Sequence, residues 1–335
     1  CDSSVPGLGP MGMIEYLGID VRLASSSDIG GATYLSAVAH AALAIGAGDC
    51  HVALCTMAGY ARPSAGRGEP PREPASDFEE SWGITTAAHN YALAAMRHMY
   101  EFGTTSAQLA EVKVAASLHA QHNPHAALPA PVSVEEVLAS PMISDPLHRL
   151  DCCLNTDGAA AVVVASTEVA ARLDRTAVAI LGHGEAHQNT RNGRVDLVHT
   201  AAVRSGPRAF DAAGLAPADI DYASIYDSFT ITVIETIEDL GFCPKGQGGR
   251  YAQEQNLRAP HGALPLNTDG GSLCNNHPGG RGGMVRIVEA VRQLRGEAHP
   301  ALQVPDCRFA LVHGTGGRIS TRSSSSTLIL GRESR

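Results

Sequence analysis

Aromatic residues are scarce in this 335-residue chain, at 4% of the total with a single Trp. Ala and Gly are abundant instead, and small residues let helices and strands approach closely, which suits a layered α/β architecture. A basic excess is also missing. Lys and Arg number 25 against 34 Asp and Glu, for a net charge of −9. Phosphate backbones select basic faces, so this balance argues against nucleic acid as a partner. No stretch reaches the ~18 uncharged apolar residues of a membrane span, and no signal peptide is legible. The eight cysteines include no Cys-x-x-Cys pair. The adjacent Cys152-Cys153 is a poor zinc chelate, because zinc ligands usually sit about two to four residues apart. Most of the cysteines are expected to be reduced, buried, small hydrophobes of a cytoplasmic protein, and no metal site is expected.

Apolar residues make up 44% and charged residues 18%, the proportions of a globular chain with a core of ordinary size. The length allows one large domain or two ordinary ones. Val21–Leu23 reads as the end of a strand. The Ala-rich stretch from Gly31 to Ala47 reads as a helix buried on all sides, since it is almost free of charge. His51–Met57 reads as a strand and Ala61–Trp82, rich in Pro, Gly, Arg and Glu, as a surface loop or lid. Helices are expected over Ile84–Phe102 and Ser106–His122. The run Asp151-Cys-Cys-Leu-Asn-Thr-Asp157 is expected to be a turn feeding a buried strand.

In the second half, strands are expected at Val178–Leu181, Tyr222–Ile225, Arg308–His313 and Thr327–Leu330. Helices are expected over His199–Leu215, Thr230–Leu240 and Gly282–Leu294, the last with Val285, Val288, Val291 and Leu294 on one stripe. Alternating strands and helices predict an α/β protein with a mostly parallel sheet. Comparison of the halves aligns Cys1 with Tyr226. On that symmetry roughly fifty residues would precede Cys1 in the natural chain, since a sheet without its central strand leaves backbone groups unpaired.

Three segments could carry chemistry. Leu264 to Gly283 contains Asn267-Thr-Asp-Gly-Gly and His277-Pro-Gly-Gly, the latter opening a helix whose N-terminus supplies N–H donors. This segment is either a tight loop with a structural His or a site in which His277 serves a thioester oxygen or a nearby proton. Ala310-Leu-Val-His313-Gly-Thr-Gly-Gly317 reads as a strand running into a Gly-rich turn. Tyr226-Asp-Ser-Phe229 places polar groups at the C-terminal end of a strand, where ligands gather in open α/β sheets. Asp227 or Ser228 is expected to cap a helix, which leaves Tyr226 free for chemistry.

Together, and in this order, these segments resemble the thiolase superfamily, in particular its lipid-transfer-protein and sterol-carrier-protein branch. Ala44-Ile-Gly-Ala-Gly-Asp-Cys-His-Val, Asp151-Cys-Cys-Leu-Asn-Thr-Asp-Gly-Ala-Ala-Ala, Leu240-Gly-Phe-Cys-Pro-Lys-Gly-Gln-Gly-Gly and Glu289-Ala-Val-Arg-Gln-Leu-Arg-Gly add to the resemblance, which spans nearly the whole chain. It implies a thiolase fold: two βαβαβαββ halves in a five-layer αβαβα arrangement, here 1–175 (with a loop and lid region over 61–150) and 176–335. It also implies a homodimer and an acyl-CoA ligand, with coenzyme A as part of the substrate and no other cofactor.

One departure from the family pattern matters. A thiolase takes the acyl group on a Cys at the start of the buried helix, because a helix-mounted thiol of lowered pKa suits thioester chemistry. Alignment places Gly31 there, with no cysteine nearby. The Ser25-Ser-Ser run beside it reads as a polar loop, since a bare hydroxyl needs an adjacent base. The family's Gly-His-Pro histidine is kept as His277, and its second cysteine position falls at or beside His313.

The chain is also similar to the steroid side-chain aldolases, which share the missing Cys, the Tyr-Asp-x-Phe and the Leu-Gly-Phe-Cys. Those aldolases work with a zinc-ribbon/OB-fold subunit of the DUF35 type in a heterotetramer, and they carry a second Tyr where this chain has His277. The resemblance implies a lyase: retro-aldol cleavage of a β-hydroxyacyl-CoA. Tyr226 and His277 would share the acid/base work, with His313 assisting. Gly30, Gly31, Asp227, Asn267, Gly279, Gly280, Gly314 and Gly316 would hold the thioester or enolate. An acyltransferase using Cys274, three residues before His277, and a non-catalytic lipid or acyl-CoA carrier are the alternatives.

Overall fold

The computed structural model describes residues 9–60, 79–278, 282–319 and 321–333. The core of the expected lid, 61–78, lies outside them, as do Gly279 and Gly280. The helices are α1 Pro10–Leu17, α2 Thr33–Gly46, α3 Ala87–Phe102, α4 Ser106–Ala120, α5 Val134–Ala139, α6 Thr167–Ala170, α7 Ala202–Ala213, α8 Thr230–Asp239, α9 Gly248–Gln253 and α10 Gly283–Arg295. The strands are β1 Val52–Tyr60, β2 Met142–Ser144, β3 Leu147–His148, β4 Asp157–Ala165, β5 Val178–Gln188, β6 Tyr222–Ile225, β7 Phe309–Gly317 and β8 Ser323–Arg332.

The larger sheet has the order β5-β8-β7-β6, and Leu266 makes an isolated parallel bridge to Ala223 of β6. Helix α7 packs on β5 and β8, while α2 and α10 pack on β7 and β8, and both also reach β4. In the α7 contact, Gly184 and Gly182 abut the carbonyls of Ser205 and Ala209, where any side chain would collide. Beyond α2 lies the antiparallel pair β1–β4. The succession is therefore helix, sheet, helices, sheet: the alternation of the expected α/β fold.

Several expectations need correction. The sheet is mixed, not mostly parallel: only β6–β7 runs parallel among its ladders, while β7–β8 and β5–β8 are antiparallel. For β7–β8 the cause is the short link between the strands, which permits only a hairpin. Val21–Leu23 forms no strand and is exposed. Strand β4 is not buried but alternates between exposed and half-buried positions, because among the described residues it pairs with β1 alone. Helix α2 is buried only over its first half, where it lies under β7 and α10; Leu43 near its end is 67% exposed. The segment Gly314–Gly317 is not a turn but the second half of β7, paired with Ser326 to Ser323.

In α10 the apolar stripe is Met284, Ile287, Ala290 and Leu294, and the three valines lie at its flank. A second buried face carries Arg286, Glu289 and Gln293. Helix α8 is buried from Thr230 to Glu238 and packs against α3, α4, α7 and α9. It carries Glu235, whose two carboxyl oxygens are buried without a hydrogen-bond partner. Burial holds this carboxyl well above the ordinary glutamate range, against the pull of Lys245. A carboxyl raised in the folded state stays protonated after its unfolded counterpart has ionised, so it costs stability as pH rises beyond the unfolded value. Glu235→Gln is therefore expected to melt higher than the parent at pH 8 and close to it at pH 4.5. The gap is on the order of a few °C and is read by thermal denaturation across pH.

Candidate functional site

Three loops and one extended segment build the site. Strand β6 ends at Ile225, and the next residue, Tyr226, donates its backbone N–H to the His313 carbonyl (2.9 Å). Asn267 fixes the strand end: its side-chain amide donates to the Ile225 carbonyl (2.8 Å) and its side-chain oxygen accepts from the Ile225 N–H (2.9 Å). Both polar groups of Asn267 are thus spent on the backbone that carries Tyr226. Asp227 is spent similarly. Its carboxylate accepts from the N–H groups of Ser272 (2.7 Å) and Leu273 (3.2 Å), capping the Gly271–Asn275 turn. The expected cap role holds, but for this distant turn. Gly271 has φ +65°, and a side chain there would run into the Asp227 carboxylate.

The Tyr226 hydroxyl meets Nε2 of His277 at 2.5 Å, with ring centroids 5.5 Å apart. Both side chains are buried. Desolvation pushes the Tyr226 hydroxyl well above its ordinary range, so the phenol keeps its proton at neutral pH and donates to a neutral imidazole. Desolvation also lowers His277, to about 4. The carbonyls of Leu154 and of His277 itself lie beside the ring and favour a proton on it, though Nδ1 has no well-formed hydrogen bond. With Nε2 accepting from Tyr226, that proton belongs on Nδ1.

The Tyr226 ring lies in a slot between two glycines. A Cβ on Gly31 would sit 2.9 Å from ring atoms Cε1 and Cζ and would collide with the Thr315 carbonyl. A Cβ on Gly282 would sit 2.7 Å from Cε2. Gly30 (φ +67°) packs against Gly316, and Gly314 against the Gly31 carbonyl. The structure therefore brings Gly30, Gly31, Gly314 and Gly316 together with Tyr226, and these glycines serve close backbone approach. The space beside position 31, where the family carries its nucleophile, is filled by the tyrosine ring.

His313 is not in this cluster. Pairing in β6–β7 sets it opposite Ile225, so by strand alternation its ring leaves the sheet on the face away from Gly314. There Nδ1 meets Thr327 (2.9 Å) and Nε2 meets Thr315 and Ser325 (both 3.3 Å). Ser205 of α7 completes this hydroxyl network. Burial drives the His313 ring down to about 3. The assisting role expected of it is corrected accordingly: its carbonyl, not its ring, touches the site.

Cys274 is also elsewhere. It is fully buried against α4, where Lys113 Nζ donates to its sulfur (3.1 Å) and to the Leu273 carbonyl (2.6 Å). Cys153 sits on the extended segment that reaches the Tyr226 loop, but burial raises its thiol to about 12, far from a thiolate. Among the described residues no group of three or more His, Cys, Asp or Glu side chains is placed to hold a metal, and no helix is long and apolar enough to cross a membrane.

Sequence reasoning missed the segment that ties the loops together. Cys152 bridges to Phe229, the Cys153 N–H donates to the Ser228 carbonyl (2.9 Å), and the Leu154 N–H donates to the Ser272 carbonyl (3.0 Å). Thr156 then pairs with His277, donating from its N–H to the His277 carbonyl (3.3 Å) and accepting the His277 N–H on its hydroxyl (2.9 Å). One extended strap thus holds the Tyr226 loop, the Gly271–Asn275 turn and His277. Arg286 was missed as well, because an Arg within a helix reads as a surface residue.

Residues 182–332 match the thiolase C-terminal domain-like family. The acetyl-CoA acetyltransferase of Methanothermobacter thermautotrophicus is 40% identical over 72% of this chain and 63% of its own length. The benzoylsuccinyl-CoA thiolase subunit BbsB of Thauera aromatica is 34% identical over 74% and 65%. The chain thus spans less than two thirds of either relative. A steroid side-chain-cleaving aldolase of Thermomonospora curvata is 33% identical over 83% of this chain and 74% of its own. A solved Ltp2-ChsH2(DUF35) aldolase superposes with a TM-score of 0.86 at 31% identity, over 99% of this chain and 86% of the other. The chain belongs to the thiolase superfamily, on its sterol-carrier-protein and lipid-transfer branch beside the steroid side-chain aldolases.

Proposed function

We propose that this chain is a carbon–carbon lyase that cleaves a β-hydroxyacyl-CoA by a retro-aldol reaction, with Tyr226 and His277 as its acid/base pair. The observation that carries this reading is the 2.5 Å contact between the Tyr226 hydroxyl and His277 Nε2, made by a ring that fills the space beside Gly31. A nucleophile is not needed for the reaction. The β-hydroxyl proton passes to the Tyr226 oxygen as the tyrosine proton moves to Nε2. The Cα–Cβ bond breaks, its electron pair forms the thioester enolate, and the β-carbon leaves as a carbonyl. The Tyr226 hydroxyl then gives its proton to Cα of the enolate and regains its own from Nε2, which returns the pair to its starting state. Backbone donors around Gly30 and Gly31 would hold the enolate oxygen. The 33%-identical aldolase and the aldolase complex of the same fold support the reaction class.

The pairing of Ltp2 with ChsH2(DUF35) in that structure supports a DUF35-type subunit as partner; the assembly would be a heterotetramer built on a homodimer of this chain. Zinc would then belong to the partner. The acyl group would be large and apolar, a steroid side chain being the nearest parallel. The acyltransferase reading draws on the 40%-identical acetyltransferase, but neither Cys153 nor Cys274 offers a thiolate at the tyrosine.

The deciding experiment incubates the full-length protein, with and without a co-expressed DUF35-type subunit, with β-hydroxyacyl-CoA and β-ketoacyl-CoA panels, with and without free CoA. Products are followed by mass spectrometry. Cleavage of a β-hydroxyacyl-CoA without CoA is expected. CoA-dependent cleavage of a β-ketoacyl-CoA would mean a thiolase, and binding without turnover a carrier. The acid limb of the reaction follows from His277. Its imidazole is neutral above about pH 4, so kcat/KM is expected to hold from pH 8 to pH 6 and to fall as pH approaches 4. A limb centred near the ordinary histidine value would remove His277 as the proton acceptor.

A further inference from the structure

Tyr226 and His277 reach each other from different elements, and something must fix their separation. The tyrosine is gripped by Gly282 at the start of α10, and Gly283 beside it abuts the Gly31 carbonyl. The histidine follows the Gly271–Asn275 turn. One turn into α10, Arg286 is fully buried. Its guanidinium makes a two-pronged ion pair with Asp269, at 2.9 and 2.6 Å. Asp269 in turn accepts from the Gly271 N–H (3.1 Å) and the Asn275 side-chain amide (2.8 Å). Its carbonyl accepts from Asn123 (2.9 Å).

We infer that Arg286 is the positioning residue of the Tyr226–His277 pair, fastening the helix that grips the tyrosine to the turn that delivers the histidine. This rests on the reading of those two residues as the acting pair.

Packing alone does not require such a device. A buried Arg–Asp pair is costly to desolvate, and well-packed apolar residues of similar volume often serve stability as well or better. What an apolar pair cannot do is hold, through one planar, directional fork, the carboxylate that accepts from the Gly271 N–H and the Asn275 amide. The pair also brings charge to the site. Arg286 acts on Tyr226, Asp227 and His277, lowering the affinity of the imidazole for a second proton. A neutral His277 is the form that accepts from Tyr226.

The test uses Arg286→Met, Arg286→Lys and Asp269→Asn in the full-length protein. The His277 titration is followed by 15N-histidine NMR, assigned with His277→Gln, alongside melting temperature and turnover of a β-hydroxyacyl-CoA. Arg286→Met is expected to move the His277 midpoint to higher pH, because the buried positive charge that disfavours a second proton on the imidazole is gone. Asp269→Asn keeps the positive charge and is expected not to raise the midpoint. Arg286→Lys keeps charge but loses the fork, and is expected to cut kcat about tenfold with KM within threefold, since small misplacements are costly in rate. A merely structural pair would lower the melting temperature of all three variants and leave the His277 midpoint and kcat as in the parent, which would overturn the inference. Where Arg286→Met does not fold, the kcat of Arg286→Lys decides. Where the parent cleaves no β-hydroxyacyl-CoA, the proposed reaction fails, and the His277 midpoints still test the coupling.

Discussion

Tyr226→Phe is expected to cut turnover of a β-hydroxyacyl-CoA by about 10²–10⁴-fold, the usual worth of a positioned acid/base group. The expectation is sharp because the substitution removes so little else. The ring is held by contacts with Gly31 and Gly282, and both survive in Phe. The backbone bond from residue 226 to His313 survives too. What disappears is the hydroxyl, and with it the partner of His277 Nε2. KM and melting temperature should therefore change little while kcat collapses. Steady-state kinetics beside a melting curve would show this. Parent-like turnover in the Phe variant would take Tyr226 out of the mechanism.

Gly31→Cys should do the opposite of what a family alignment suggests. It returns a thiol to the position where thiolases keep theirs, yet it is expected to abolish cleavage without creating CoA-dependent acyl transfer. The new Cβ would collide with the Thr315 carbonyl and crowd the Tyr226 ring at 2.9 Å. Neither neighbour is a flexible side-chain end. Overpacking of this kind costs about 1–3 kcal/mol, and a shift of about 1 Å in the tyrosine is enough for a loss of about 10²-fold in rate. Gly31→Ala, with the same Cβ and no thiol, should behave alike. Intact-mass measurement after exposure to an acyl-CoA separates the outcomes: a stable acyl adduct on Cys in the variant would show that the tyrosine and a nucleophile can coexist.

The Tyr226–His277 partnership is legible in the sequence, because each residue sits in a polar segment at a strand end or helix start. The third member of the group was not placed correctly, although the sequence holds the needed clue. Gly314 and Gly316 share one parity along β7 and have to face the close approach, so His313, of the other parity, turns its ring away. That argument requires β7 to run on through Gly317, whereas the glycines suggest a turn. Asp227 and Asn267 look like ligand contacts because they are polar and near the site. In the structure their polar atoms are used by the Gly271–Asn275 turn and by Ile225, and only a fold can reveal such distant partners. Arg286 is hidden for the same reason: its partner lies 17 residues away across a glycine-rich stretch. The exposed face of β4 escapes prediction because a run of Ala and Val carries no mark of which neighbours cover it.

The strap from Cys152 to Thr156 works as a ruler. Its successive backbone groups engage the tyrosine loop, the capped turn and the histidine in order, so the spacing between those loops is counted in peptide units. Side-chain exchanges along it leave that count intact. A single inserted residue does not: it advances everything beyond it by about 3.3 Å and inverts the facing of each later group. The hydroxyl–imidazole contact spans less than that step. The site is thus forgiving of most of the strap's side chains, the Thr156 hydroxyl that holds the His277 N–H excepted, and intolerant of how many residues there are.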